Sequence, residues 1–144
     1  QMKIFVWLAV QHRIWTSDRR ARHGLQDSPS ACYTCLQEED NAEHILVQCV
    51  YAREVWHYIF EALKVQGTIP EPSDCLLDWW LVRRALFSKG AKRGFDTVII
   101  ATTWALLKQR NARVPPDPAA EDGVGPCPCH PRGDQRVEVG RLGR

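Results

Sequence analysis

Apolar residues recur at helical spacing through most of the chain up to residue 114. The run Lys3–His12 is apolar enough for a buried helix, with Ile4, Trp7 and Leu8 on one face. A longer amphipathic helix is predicted over Tyr51–Val65, where apolar residues recur every fourth position. That predicted core face consists of Tyr51, Val55, Ile59 and Leu63.

Two further helices are predicted in the second half of the folded region. Ser73 is a suitable N-cap for a helix over Asp74–Phe87, which contains Trp79 and Trp80. The longest candidate is Phe95–Arg113, with Trp104 on its apolar face. Threonines and the pair Ile99-Ile100 lower its helix propensity, so a strand beginning there is the alternative.

Shorter segments connect these helices. Thr16 as N-cap and Gly24 as a C-terminal stop define a short helix over Ser17–His23. The segment Gln26–Asp40 is loop-like, and its acidic end (Glu38, Glu39 and Asp40) is predicted to be solvated. A short helix is possible over Glu43–Cys49, and Lys89–Arg93 is predicted to be a basic linker.

The composition changes at Pro115. From there to Arg144 the chain holds six prolines, several glycines and few large apolar residues. Such a segment buries too little apolar surface to offset its ordering entropy, so 115–144 is predicted to be a disordered tail. The chain is therefore predicted to be mainly α: one small helical domain over 1–114, followed by that tail.

The net charge and the absence of clear targeting signals are compatible with many classes of soluble protein. The 144 residues carry a net charge of +2, which is compatible with a polyanionic partner without requiring one. Lys3 and the apolar residues after it imitate a secretion signal, but no small-x-small cleavage triplet follows. No apolar run reaches the roughly 18 residues of a membrane helix. The protein is expected to be soluble and intracellular, in the nucleus or the cytoplasm, and without a membrane partner.

Four residues form a pattern that indicates metal binding: Cys32-x2-Cys35-x8-His44-x4-Cys49. Structural zinc sites use four nitrogen or sulfur ligands in a tetrahedron, and Cys3His is one of the usual sets. His44 and Cys49 are about 1.4 helical turns apart, so they converge only if the helix loosens or ends at Cys49. The sequence predicts that one Zn²⁺ staples the domain, within a zinc segment of about residues 28–60.

Two other interpretations of this pattern stay open from the residues alone. One is a pair of free loop cysteines with a surface histidine and a core cysteine. The other is a thioredoxin-like redox pair, which is disfavoured because no strand-to-helix context precedes Cys32. Cys75 is predicted to be a small buried side chain. Cys127, Cys129 and His130 lack a fourth ligand and an ordered frame for a second site.

Two basic groups are candidate nucleic-acid contacts. The first is formed by Arg19, Arg20 and Arg22, and the second by Arg83, Arg84, Lys89, Lys92 and Arg93. Both fit a solvated helix face as well as phosphate binding. The tryptophans at 15, 56, 79, 80 and 104 are expected in the core rather than as base-stacking platforms.

Catalytic signatures are absent from the sequence. It contains no Gly-rich phosphate loop, no GxSxG and no Asp-Asp pair for two-metal chemistry. The chain is therefore predicted not to be an enzyme.

Several segments together resemble the zinc-binding domain that follows the reverse transcriptase in plant non-LTR (LINE-type) retrotransposons. The matching segments are Lys3-Ile4-Phe5-Val6-Trp7-Leu8, Thr16, Cys32-Tyr33-Thr34-Cys35, Glu43-His44-Ile45-Leu46, Cys49, Ala52-Arg53-Glu54-Val55-Trp56, Trp104 and Lys108-Gln109-Arg110-Asn111. The resemblance covers roughly residues 2–114.

The resemblance implies a zinc-stabilised helical domain that contacts RNA or DNA beside a polymerase domain lying upstream of this chain. The chain departs from the family where Pro115-Pro116 replace the expected aromatic continuation. This departure is typical of a changed reading frame or splice, as in a degenerate genomic remnant. A structural or protein-interaction module stapled by zinc is the alternative function, and the sequence indicates no oligomeric state.

Overall fold

The computed structural model describes residues 2–65 and 69–115. Within these ranges the regular elements are helical, and the only extended pairing is an isolated antiparallel bridge between Ala31 and Glu39. The mainly α prediction is confirmed. The elements are α1 (Met2–Val10), α2 (Ser17–Arg22), a π-helix (His44–Gln48), α3 (Val50–Ala62), α4 (Leu76–Ala85) and α5 (Ala91–Asn111). The tail from residue 116 onward lies outside the described residues, so its disorder stays a prediction.

Helix α5 is the central element of the described fold. It packs against α1, the π-helix and α4, while α3 packs against the π-helix. The core between them is built from large side chains that are almost completely buried. They include Trp56, Phe60, Leu46, Leu76 and Ile99. No described helix combines the length and apolar character that crossing a bilayer would need.

The strand alternative inside α5 is wrong. The chain stays helical through Ile99, and the hydroxyl of Thr103 donates to the carbonyl of Ile99 at 2.8 Å. This bond pairs the buried hydroxyl of Thr103 within the helix. The low helix propensity of the β-branched residues is therefore tolerated in a helix that packs against the core. The predicted basic linker is also partly helical, because α5 already begins at Ala91.

The core faces of two helices differ from the predicted ones. In α3 the buried residues are Ala52, Trp56 and Phe60, whereas Leu63 is 51 % exposed. Two neighbouring apolar rows run along this helix, and the row with the larger aromatic rings occupies the core. The Trp56 indole also donates to the carbonyl of Leu46 at 2.9 Å, which fixes that choice.

Helix α1 is likewise rotated relative to the prediction. Phe5, Val6 and Ala9 are buried, whereas Ile4 and Trp7 are largely exposed. The ring of Phe5 meets Trp104 of α5 edge-on at 5.1 Å, which anchors this face of α1.

Two predictions around α4 are also wrong. The helix begins at Leu76 rather than Asp74, and its first free amide is bound by a distant carboxylate instead of Ser73. The amide of Leu76 donates to Glu43 at 2.6 Å. Cys75 is exposed, because it precedes the first turn of α4, whose buried residues are Leu76 and Trp79.

Helix α2 begins at Ser17 as predicted and ends one residue before the predicted His23, which is its C-cap, but the contact at its N-terminus comes from a distant residue. Thr16 has the extended backbone of an N-cap, yet its hydroxyl contacts the side chain of Asp18. The carboxylate of Asp40 instead accepts the amide of Ser17 at 2.9 Å. Gly24 ends the helical region with φ +68°, a conformation that glycine adopts without strain.

Candidate metal centre

Cys32 and Cys35 lie in a tight loop whose backbone is closed by hydrogen bonds. The amide of Leu36 donates to the carbonyl of Cys32 at 2.9 Å, and the amide of Cys32 donates to the carbonyl of Glu38 at 2.7 Å. Leu36 has a positive φ of 59°, which lets the chain reverse sharply just after the second cysteine. This turn directs both thiols toward the same point.

The π-helix supplies His44, and Cys49 follows directly after its last residue. The amide of Cys49 donates to the carbonyl of His44 at 2.7 Å, a bond that spans five residues. An α-helix would place residues five apart on different faces, whereas a π-turn brings them into line. The helix was predicted to loosen between His44 and Cys49, and the structure shows this loosening as a π-helix.

The four side chains converge. Their ligand atoms all lie within 4.8 Å of one another, with 3.9 Å between the sulfurs of Cys32 and Cys49. The sulfur of Cys35 lies 3.2 Å from Nε2 of His44. A zinc–sulfur distance of about 2.3 Å implies a tetrahedral edge of roughly 3.8 Å, so the donor set and spacing fit zinc.

Contacts within this cluster shift the pKa values of its members in different directions. Hydrogen bonding from Cys49 lowers the pKa of the Cys32 thiol, and the same contact raises the pKa of Cys49. Burial favours a neutral His44, but hydrogen bonds and charge from Cys32 and Cys35 outweigh it and raise its pKa. Metal ligands must be deprotonated, so a bound dication would displace the protons of these thiols.

The family comparison agrees with this geometry. Residues 1–56 match the family model described as zinc-binding in reverse transcriptase. This segment is a reverse transcriptase zinc-binding domain. The match spans all four clustered residues, so zinc is the cofactor of the domain. Searches of curated proteins and of solved structures gave no match. The plant LINE-type origin predicted above stays a prediction, as does the absence of a catalytic centre.

Thr34 lies beside the sulfurs of the zinc-binding domain. Its hydroxyl oxygen is 2.9 Å from the sulfur of Cys32 and 3.3 Å from that of Cys49. A hydroxyl so placed can donate to a thiolate and hold it in orientation, as outer partners do in metal sites. In the sequence Thr34 was noted only as one of the two residues between Cys32 and Cys35, so this contact was not predicted.

A buried ion pair between the zinc-binding domain and α5 was not predicted. Asp40 was expected in solvent, but it is fully buried and binds the guanidinium of Arg110 through both oxygens. Nε of Arg110 lies 3.0 Å from one of them. The two residues are 70 positions apart, so local patterns carry no signal for the pairing. The only indication was the place of Arg110 in the segment that resembles the family.

The basic groups have mixed surroundings. Arg19 lies over the ring of Trp15, and Arg22 pairs with Asp18. Arg84 is engaged by Asp96 through two bonds of 2.8 and 2.9 Å, which indicates a structural role. The side chains of Lys89 and Arg93 are exposed, whereas Arg20, Arg83 and Lys92 are half-buried. Whether any of them touches nucleic acid stays a prediction.

Proposed function

We propose that Cys32, Cys35, His44 and Cys49 together bind one zinc ion, and that this ion fixes the loop on which the rest of the domain depends. The support is the convergence of four donor atoms within 4.8 Å in a cluster where Cys32 and Cys49 are fully buried. Three sulfurs and one imidazole nitrogen are a usual set for structural zinc.

The hydroxyl of Thr34 provides a specific test of this site. Thr34→Val keeps the side-chain shape but removes the group beside two sulfurs. We expect zinc affinity, measured by competition with a chromophoric chelator, to fall by about tenfold, as is typical for an outer-sphere partner. Thr97→Val, on exposed α5 surface, is the matched control. Equal affinities of the two variants would reject the assigned role of Thr34.

We further propose that the domain is an accessory module that binds RNA weakly and with little sequence preference, within a protein related to reverse transcriptases. One observation carries this proposal: the cationic helix α2 is tied directly to the metal loop. Ser17, its first residue, donates its amide to Asp40, and its hydroxyl accepts the amide of Ser30. A zinc-ordered loop thereby holds the α2 arginines in place.

The surrounding sequence supports a polyanionic partner. Residues 11–25 contain four arginines and one aspartate, a net charge of +3. Such a cluster attracts phosphates in any sequence context and gives an affinity that depends strongly on salt.

A second candidate function is a structural or protein-interaction module. A groove of about 340 Å³ between α1, α4 and α5 favours it. Its lining is largely apolar and consists of Val6, Trp7, Val10, Gln11, Trp80 and Ile100. A protein partner could bury these side chains, whereas RNA would gain little from them.

The salt dependence of RNA binding distinguishes the two functions. If about four cations contact phosphates, log K should fall with log salt at a slope of roughly −3 for single strands. We expect the double variant Arg20→Gln/Arg22→Gln to make that slope shallower by about 1 to 1.5, because two phosphate contacts are lost. Lys89→Gln/Arg93→Gln tests the second group in the same way.

The control is Lys64→Gln/Lys108→Gln, which removes two exposed cations outside both groups. Zinc content and helical circular dichroism must match the wild type for each comparison to count. A folded, zinc-loaded protein that shows no RNA binding at low salt would reject the nucleic-acid function and favour the interaction module.

A further inference from the structure

Trp15 is exposed, whereas Trp56 and Trp79 lie in the core; among the described tryptophans only Trp7 on α1 is comparably exposed. Trp15 was expected to be buried, but 55 % of its surface is exposed, and it lies immediately before the cationic helix α2. We propose that Trp15 is a stacking platform for an unpaired base of single-stranded RNA. This role of Trp15 rests on the proposed RNA-binding function, to which it adds a stacking contact between a base and the indole ring.

The backbone holds Trp15 outward. Its neighbours Ile14 and Thr16 are buried, at 6 % and 2 % exposure. The amide of Thr16 donates to the carbonyl of Ile14 at 3.0 Å, so a tight turn places Trp15 at its apex, toward solvent. The carbonyl of Trp15 accepts a bond from Nη1 of the buried Arg110 at 3.4 Å. An exposed indole on a backbone fixed at both sides loses little conformational entropy when a ligand binds.

The side chains of Arg19 and His23 frame the ring. The guanidinium carbon of Arg19 lies 5.1 Å from the ring centroid, and Nη1 of Arg19 donates to the carbonyl of His12 at 3.1 Å. The imidazole of His23 meets the indole edge-on at 5.5 Å. More than half of the Trp15 surface remains exposed after both contacts are made. A base can therefore stack on the ring while the nearby arginines contact its phosphates.

The charge around the ring selects a nucleic acid over a protein surface. The acidic group of this segment, Asp18, is already engaged by Thr16 and Arg22. The remaining charge of the segment is positive. Exposed aromatic rings beside arginines are the combination that binds single strands, because every base has a stackable face.

The experiment compares two equally exposed tryptophans in the full chain. Trp15→Ala removes the platform, and Trp7→Ala is the matched control, since Trp7 is 54 % exposed on α1. Binding of a fluorescein-labelled 12-nucleotide oligouridine is measured by anisotropy at low salt. We expect Trp15→Ala to weaken binding by about 5- to 100-fold, the range of one stacked base, with an unchanged salt slope. Trp15→Phe and Trp7→Ala should stay close to the wild type.

A second measurement does not depend on the variants folding. RNA carrying 5-iodouridine is photo-crosslinked to the wild-type protein, which is then digested with trypsin. We expect the crosslink on the peptide Ile14–Arg19, which contains Trp15 as its only aromatic residue. Crosslinks found only on other peptides would overturn the platform.

The failures are distinguishable. Wild-type binding that neither Trp15→Ala nor Trp7→Ala reduces would overturn the platform and leave the RNA-binding function standing. Loss of affinity in Trp7→Ala alone would place the aromatic contact on α1 and would also overturn it. Absence of oligouridine binding at low salt by the zinc-loaded wild type would reject both the stacking role of Trp15 and the RNA-binding function.

Discussion

Cys49→Ser should leave the protein without bound zinc and without a stable fold in residues 1–56. Cys49 is fully buried at the N-terminus of α3, and its sulfur lies 3.9 Å from that of Cys32. Structural zinc contributes apparent binding free energies of about 10–16 kcal/mol in zinc-finger peptides. That amount is comparable to the whole net stability of an ordinary domain, roughly 5–15 kcal/mol. Metal analysis and far-ultraviolet circular dichroism of the purified variant measure both effects.

Cys75→Ser is the matched control for this substitution. Cys75 is exposed and does not belong to the four-residue cluster, so the same chemical change there should leave zinc content and thermal midpoint unaltered. A Cys49→Ser protein that melts cooperatively near the wild-type temperature with one zinc per chain would refute the assignment of Cys49 as a ligand.

The second large effect is expected at Arg110. Arg110→Gln should lower the free energy of unfolding of the zinc-loaded protein by about 3–5 kcal/mol, because it leaves the carboxylate of Asp40 buried without its cation. Asp40 has 0 % and Arg110 6 % of its side chain exposed, so water cannot replace the lost partner. Denaturant titration with zinc held constant measures the change.

Arg22→Gln is the control, since it breaks an ion pair on the surface. The side chain of Arg22 is 65 % exposed where it meets Asp18, and such pairs contribute at most about 1 kcal/mol. A loss in Arg110→Gln no larger than that of Arg22→Gln would show that the Asp40–Arg110 pair does not stabilise the fold.

These two sites are linked through the loop between them. Asp40 caps α2 through Ser17 and binds α5 through Arg110, while its amide donates to the carbonyl of Ser30 near the first cysteine. We expect zinc to order this loop from one side and Arg110 from the other. The surface that carries Trp15 and the α2 arginines depends on both, so either variant is expected to weaken RNA binding indirectly.

The four residues of the metal cluster and most of the helices could be predicted from the sequence. The spacing of Cys32, Cys35, His44 and Cys49 identified four residues that the structure brings together. The segments between them are short, so few backbone arrangements can bring four such ligands to one point. Gly24 correctly marked the end of α2, since a positive φ is a local requirement. The amphipathic periods also located α3 and α5, because helical spacing is a property of the chain alone.

Tertiary structure decided the choices that are ambiguous locally. Two neighbouring rows of apolar residues run along α3 at the same helical spacing, and packing placed the row with Trp56 and Phe60 inside. Asp40 sits in an acidic run that predicts solvent exposure, yet Arg110 compensates its burial from 70 residues away. Trp15 is exposed because both of its neighbours are buried. Each outcome depends on which surfaces meet across the core, and contacts between distant residues leave no periodic signal in the chain.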